Sequence, residues 1–312
     1  MPRDPLRIVD AHAHFWDLDA RYYPWLCDPD PIPFRYGDYA KIRHRYLPED
    51  YRRDARDFSL AGLVHIEAEH DPKDPLGETR WLSELAAGSG LPTACVCQAW
   101  LDRGDVAEAL AAQAEFPRVR GIRHKPAGAA DPREARRGAP GSMDDAAWRR
   151  GYARLAGHGL SFDLQTPYWH LDAAAELAAD FPETQIVVNH TALPADRSED
   201  GLAAWRAALE TVAAQANVAL KISGLGLPDR AWTVAGNGAV VRDAIAIFGA
   251  ARCLFASNFP VDSLVADYHT IFSGFREITA ELPAAEIAGL FHDNAVRIYR
   301  LNLAPRTVEN AP

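Results

Sequence analysis

Asp10, His12 and His14 are spaced two residues apart, so on an extended strand their side chains should share one face. Two imidazoles on one rigid strand can bind a metal ion, or they can polarise a carbonyl and shuttle protons. A pair of hydrogen-bonded structural histidines is the plainer alternative. Asp10 would sit one layer deeper, placed to orient an imidazole. A third histidine, His190, ends the apolar run Ile186-Val187-Val188 after Asn189. An apolar run that stops on a polar pair is the expected form of a strand end at an active site, although a histidine capping the next loop would look the same. Further on, Phe255-Ala256-Ser257-Asn258-Phe259-Pro260-Val261-Asp262 puts Asn258 at a strand end and Asp262 just beyond it. An amide cannot act as a base, whereas a carboxylate can. Asp262 serves equally well as the N-cap of a helix beginning near Ser263.

The run Arg123-His124-Lys125 concentrates positive charge in an acidic chain. Arg123, with His124 beside it, suits a bidentate grip on a substrate carboxylate, and a surface ion pair is the competing reading. Phe15, Trp16, Tyr22, Tyr23 and Trp25 lie close together; Trp16 and Trp25 are candidates for a substrate-facing wall, against the alternative that these rings pack a loop onto outer helices. Lys221, His65 and Glu67 read as internal polar groups that maintain the fold. Cys95 and Cys97 read as small packing residues.

Positioning these groups requires a scaffold, and the hydrophobic pattern supplies one. Strand-like runs occur at 7–12, 60–67, 92–100, 119–125, 160–165, 185–190, 218–223 and 252–257, about 35 residues apart, which is the length of a βαβ unit. Ala-rich amphipathic segments fill the intervals at 48–57, 77–87, 105–116, 144–157, 171–180, 201–215 and 238–248. Eight such repeats without a break in composition predict an α/β fold, a single-domain (β/α)8 TIM-type barrel over 1–303 with a frayed tail at 304–312. A doubly wound open sheet would instead place a glycine-rich phosphate turn after the first strand, and that position reads His12-Ala13-His14-Phe15-Trp16. Long connections at 15–47 and 126–143 both follow a strand and so belong to the active-site face.

The chain has 312 residues with 33 Lys and Arg against 43 Asp and Glu, a net charge of −10. That balance disfavours nucleic acid as a partner. No apolar run reaches the ~18 residues of a spanning helix, and the first residues lack the apolar stretch of a signal peptide, so a cytoplasmic location away from membranes is expected. The four cysteines form no CxxC pair, in keeping with a reducing compartment.

Taken in order, Ile8 to Trp16, Tyr23-Pro24-Trp25-Leu26, Glu67 to Asp71 with Glu78-Thr79-Arg80-Trp81, Gly121-Ile122-Arg123, Val188-Asn189-His190, Lys221-Ile222-Ser223-Gly224, Ser257 to Asp262, Asn294-Ala295 and Tyr299-Arg300-Leu301 resemble the amidohydrolase-related family. The resemblance is nearest to its sugar-acid lactonases and 2-pyrone-4,6-dicarboxylate lactonases. It implies that His12, His14 and His190 match active-site histidines and that Arg123 matches a substrate-carboxylate contact. Where that superfamily generally carries an Asp on strand eight, this chain has Asn258, and strand four offers no match for a residue bridging two metals. A binuclear centre is therefore not expected. Either His12, His14 and His190 hold a single Zn²⁺ or other divalent ion, whose bound water falls to a pKa of roughly 7, or no metal binds and one of these histidines is the base. In the first case Asn258 would hydrogen-bond the water and Asp262 would accept its proton. No organic cofactor is implied. The expected activity is opening of a lactone of a sugar acid or related carboxylated ring, with a small anionic molecule as partner. The alternatives are decarboxylation of an aromatic or unsaturated acid, and a non-catalytic ligand-binding barrel.

Overall fold

The structure is a computed structural model that describes residues 6–303, so the expected tail at 304–312 lies outside the described residues. Eight strands, β1 (Arg7–Ala13), β2 (Ser59–Ile66), β3 (Ala94–Gln98), β4 (Val119–Arg123), β5 (Ser161–Leu164), β6 (Ile186–Val188), β7 (Val218–Ile222) and β8 (Cys253–Phe255), form one sheet in sequence order. Every neighbouring pair from β1 to β8 is parallel. All eight anticipated strands are present, and most stop short of the anticipated C-terminal end. The reason is visible at His190 (φ 53°) and Asn258 (φ 58°), where the backbone turns left-handed and cannot continue an extended ladder.

The sheet closes where β1 meets β8. The Asn258 N–H donates to the His12 carbonyl at 2.8 Å and the His14 N–H to the Phe259 carbonyl at 2.7 Å. Beneath these bonds the buried Asp10 carboxylate accepts from the Ser257 N–H at 2.9 Å and the His12 N–H at 3.2 Å. Its other oxygen accepts from the Tyr51 hydroxyl at 2.8 Å, which ties the seam to the helix Pro48–Asp54.

Inside the barrel, Val9, Ala11, Val64, Ile66, Val96 and Leu254 pack with Ile298, Tyr299 and Leu301 from the C-terminal helix and the residues after it. The opposite strand faces, such as Phe162, Leu164 and Ile222, join the larger core under the outer helices. The interior also holds a fully buried ion pair. Lys221 Nζ donates to Asp163 Oδ1 at 2.5 Å, and burial pushes the lysine pKa down to about 8. Asp163 further accepts from Asn189 Nδ2 at 2.9 Å and from the Tyr299 hydroxyl at 3.0 Å to each oxygen. A buried pair is tolerable when its remaining lone pairs are filled in this way.

One expectation about the β8 side is corrected. Asp262 lies inside the short 3-10 turn Val261–Leu264 and caps no α-helix. The helix that follows is Tyr268–Ile278, and its N-cap is Asp267, which accepts from the Thr270 N–H at 2.7 Å.

Lys221→Met removes the cation bonded to the buried Asp163, so it should destabilise the protein by about 3 to 5 kcal/mol in a denaturant titration. An unchanged midpoint would mean that Tyr299 and Asn189 suffice to hold the Asp163 charge.

Candidate active site

Strict alternation along β1 would put Asp10, His12 and His14 on one face. The register against β2 shifts between Asp10 and Ala13, and a bulge of this kind re-aims the residues that follow it. Asp10 therefore faces Tyr51 in the outer layer and touches no imidazole, a correction to its expected role. His12 instead meets His14 and His190, with ring centroids 5.0 Å and 4.5 Å away. β1, β6 and β8 thus bring His12, His14, His190 and Asn258 together at the C-terminal mouth.

The hydrogen bonds define what each group can do. His14 Nδ1 lies 2.7 Å from the Ile66 carbonyl, which only accepts, so Nδ1 carries the hydrogen and Nε2 the lone pair. Nε2 faces Asn258 Oδ1 at 3.3 Å. The amide orientation is set from behind, because Asn258 Nδ2 donates to Asp262 Oδ1 at 2.6 Å. Two acceptors therefore face each other at the mouth. Asp262 also accepts from the Tyr36 hydroxyl at 2.9 Å and lies 3.5 Å from the Arg35 guanidinium; burial raises its pKa, with Arg35 opposing. It is absent from the lining of the mouth cavity. His190 Nδ1 shares a 3.0 Å hydrogen bond with Ser223 Oγ. Burial holds all three imidazoles well below the ordinary histidine pKa, followed in effect by His190 at His12, Arg123 at His14 and Arg35 at His190.

The mouth cavity has a volume of about 260 Å³ and is lined by His14, His190, Asn258, Gln165 and three cations, Arg35, Arg123 and Lys125. Sequence reasoning missed Arg35, although the 15–47 connection was assigned to this face and a cation within it was a legible signal. Its Nη1 is buried without a partner. Gly224 makes room for it: with φ +60°, a Cβ there would lie 2.8 Å from His190 Nδ1 and 2.9 Å from both Arg35 terminal nitrogens. Arg123 is held in a buried ion pair, with Nε donating to Glu67 Oε1 at 2.5 Å and Nη1 to Gln165 Oε1 at 3.0 Å. This pair is interior, where a surface pair was the competing expectation, and Glu67 lines the cavity beside the mouth as well as serving the fold.

Two anticipated contacts lie elsewhere. His124 points away from the mouth, as alternation after Arg123 requires, and its Nδ1 accepts from the Leu101 N–H at 3.1 Å while its ring lies 6.3 Å from Trp148. Trp16 is fully buried, donates to the His44 carbonyl at 2.7 Å and stacks behind His14 at 6.1 Å. Trp25 does line the cavity, fixed by its Nε1 donating to the Ala68 carbonyl at 2.9 Å. Phe15 and Tyr23 are packed inside and Tyr22 is exposed.

For a metal ion the donor set is mixed. Both nitrogens of His12 are buried without partners, as a ligand's would be. His14 and His190 each commit Nδ1 to a protein hydrogen bond, as histidine ligands commonly do with the ring nitrogen away from the metal, but β8 presents a neutral amide. Among the described residues no three His, Cys, Asp or Glu side chains are grouped so as to hold an ion. In this arrangement the residues do not fit a three-ligand centre.

Residues 9–301 match the family described as Amidohydrolase. An uncharacterized protein of Sinorhizobium fredii, y4mH, is 40% identical over 296 residues, covering 95% of this chain and 99% of that protein. An L-fucono-1,5-lactonase of Burkholderia multivorans is 28% identical over 305 residues, covering 94% and 96%. Among solved structures, an amidohydrolase from Burkholderia multivorans with bound zinc superposes with a TM-score of 0.78 at 28% identity, covering 94% of this chain and 99% of that one. Among the described residues no helix is long and apolar enough to cross a membrane.

The neutral histidines make the fold pH-sensitive. Their pKa values are lowered on folding from 6.5, so below about pH 6.5 the unfolded chain takes up protons that the folded chain refuses. Stability is complete above that pH and is lost as pH falls. Asp10 and Asp262, raised from 3.8 by burial, act in the opposite sense, gaining stability as pH falls through their raised folded values. Melting temperature should fall steadily from pH 7 towards pH 5; a flat profile would mean that the imidazoles are protonated in the folded protein.

Proposed function

The chain belongs to the amidohydrolase family, and on that premise we propose that it is a hydrolase that opens the lactone ring of a sugar acid or related carboxylated ring. The observation that carries this reading is the pair of facing acceptors, His14 Nε2 and Asn258 Oδ1, at 3.3 Å. A water molecule donating one hydrogen to each is held with its oxygen lone pair towards the cavity. As it attacks the ester carbonyl, His14 takes its proton and Asn258 keeps the second hydrogen aligned. The base is thus an imidazole, neutral because it is buried, where a carboxylate would otherwise stand. Asp262 acts through Asn258 as a positioning residue, by fixing the amide.

Arg35 makes the cavity suited to an anion, beside Arg123 and Lys125, which are already paired with Glu67 and Glu69. The unpartnered Arg35 Nη1 is the available donor for a substrate carboxylate or for the developing oxyanion. The proton taken by His14 is then delivered to the leaving ring oxygen, which returns that imidazole to its neutral state, while His190, with Ser223 bonded at Nδ1, donates an Nε2–H hydrogen bond to the same oxygen. His12, buried between the other two rings, packs behind them and acts as a positioning residue.

His14→Gln should lower kcat by about 10² to 10⁴ with little change in melting temperature, as loss of a general base does. Asp262→Asn should reduce kcat less, because it only releases the amide. Equal losses, or release of CO₂ in place of a ring-opened acid, would overturn the assignment. Because no step is routed through an ion, turnover should survive exhaustive chelation when metal content is measured on the same sample; loss of activity restored by Zn²⁺ would return the site to a metal mechanism.

A further inference from the structure

Beside the mouth cavity lies a second lobe of about 440 Å³. The two share Trp25, Ile32, Glu69, Arg123 and Lys125, so the Lys125–Glu69 ion pair stands on the boundary between them. The lining changes character across that boundary. Here the positive charges are already answered, Arg123 by Glu67 and Lys125 by Glu69. Asp28 and Asp30 add carboxylates that take part in no ion pair among the described residues, and Trp25 and Trp100 contribute indole surface.

The deepest clue is Gln98. Its side chain is 5% exposed, it lines the lobe, and its Nε2 is buried without a hydrogen-bond partner. Native proteins rarely leave a buried amide donor unmet, since the lost hydrogen bond is costly. An acceptor brought by a ligand would meet it.

We propose that this lobe is a subsite for a neutral hydroxylated ring, a second pyranose attached to the lactone that reacts at the histidines. The apolar faces of such a ring pack on Trp25 and Trp100. Its hydroxyl hydrogens go to Asp28 and Asp30, and a hydroxyl oxygen accepts from Gln98 Nε2. A second anionic group is disfavoured by the two unpaired carboxylates, so charge recognition stays at Arg35 in the mouth. The proposal rests on the lactonase reading for the chemistry and stands apart from it for the binding. It names a glycosylated sugar-acid lactone as the substrate class.

The test uses the full chain with two lactones, a hexonic acid 1,5-lactone and the same lactone carrying a 4-O-glycosyl ring. The glycosylated lactone should show a kcat/KM at least about tenfold higher. Trp100→Ala and Gln98→Leu, each checked for an unchanged melting temperature, should bring that ratio to about one by raising KM for the larger substrate. A parallel titration follows tryptophan fluorescence with the corresponding ring-opened disaccharide acid, which needs no turnover. If neither lactone is opened but the disaccharide acid binds and Trp100→Ala abolishes binding, the subsite stands and the lactonase reading falls. If both lactones are opened equally and neither substitution changes the ratio, the subsite falls and the lactonase reading stands. Tighter binding of a phenyl-substituted acid than of the glycosylated one would also overturn the proposal.

Discussion

The seam between the first and last strands depends on one buried carboxylate. Asp10 has no cation beside it; it is held by hydrogen-bond donors, among them the backbone N–H groups of neighbouring His12 and of Ser257, 247 residues away in sequence. Burial raises its pKa, so the bonds must offset the cost of desolvating the charge. Because the donors belong to His12 and Ser257, the clasp fixes main chain and leaves the side chains of the mouth to project from a set frame. The 3.3 Å spacing of His14 and Asn258 follows from that frame. Tyr51 extends it outward, its hydroxyl lying 3.0 Å from that of Tyr268, so two outer helices are tied to the seam as well.

Local rules that the rest of the barrel obeys are broken at the mouth. His190, Thr191, Ala192 and Leu193 all have positive φ, as does Asn258. Such residues cost on the order of 1 kcal/mol each or more and persist only when their surroundings hold them. The Trp205 indole donates to the Thr191 carbonyl at 2.8 Å, and the Asn258 N–H is bound to the His12 carbonyl. Unpartnered nitrogens on His12 and Arg35 lie in the same region. Strain and unmet polar groups collected in one place mark where stability has been exchanged for binding.

The order of the elements was readable from the sequence because each strand is a short apolar run and each helix an amphipathic one, repeated at one period. The polar residues closing those runs, His12, His14, His190 and Asn258, were readable for the same reason: they interrupt a pattern. What lay beyond reach depended on register and on loops. A bulge in β1 after Asp10 turned His12 and His14 to the face opposite it, which no alternation rule anticipates. His124 could have been separated from Arg123 by alternation alone, since neighbours on a strand face opposite ways. Arg35 arrives from a long connection whose path is set by tertiary packing, and the Glu67–Arg123 pair joins strands 56 residues apart. Asp262 resembles a cap by position, but the helix begins at Tyr268 and its cap is Asp267, five residues further on.

Tyr299 closes the barrel floor by donating to Asp163, 136 residues earlier in the chain, and Asp163 in turn holds Lys221. During synthesis at ~5–20 residues per second, Asp163 emerges and then waits on the order of ten seconds for both its cation and its hydroxyl. Asn189 and Lys221 are made first, so what the aspartate still lacks at the end is the hydroxyl that bonds both of its oxygens. The floor of the barrel is therefore completed by residues made last, so its final hydrogen bonds are among those of longest sequence separation in the fold.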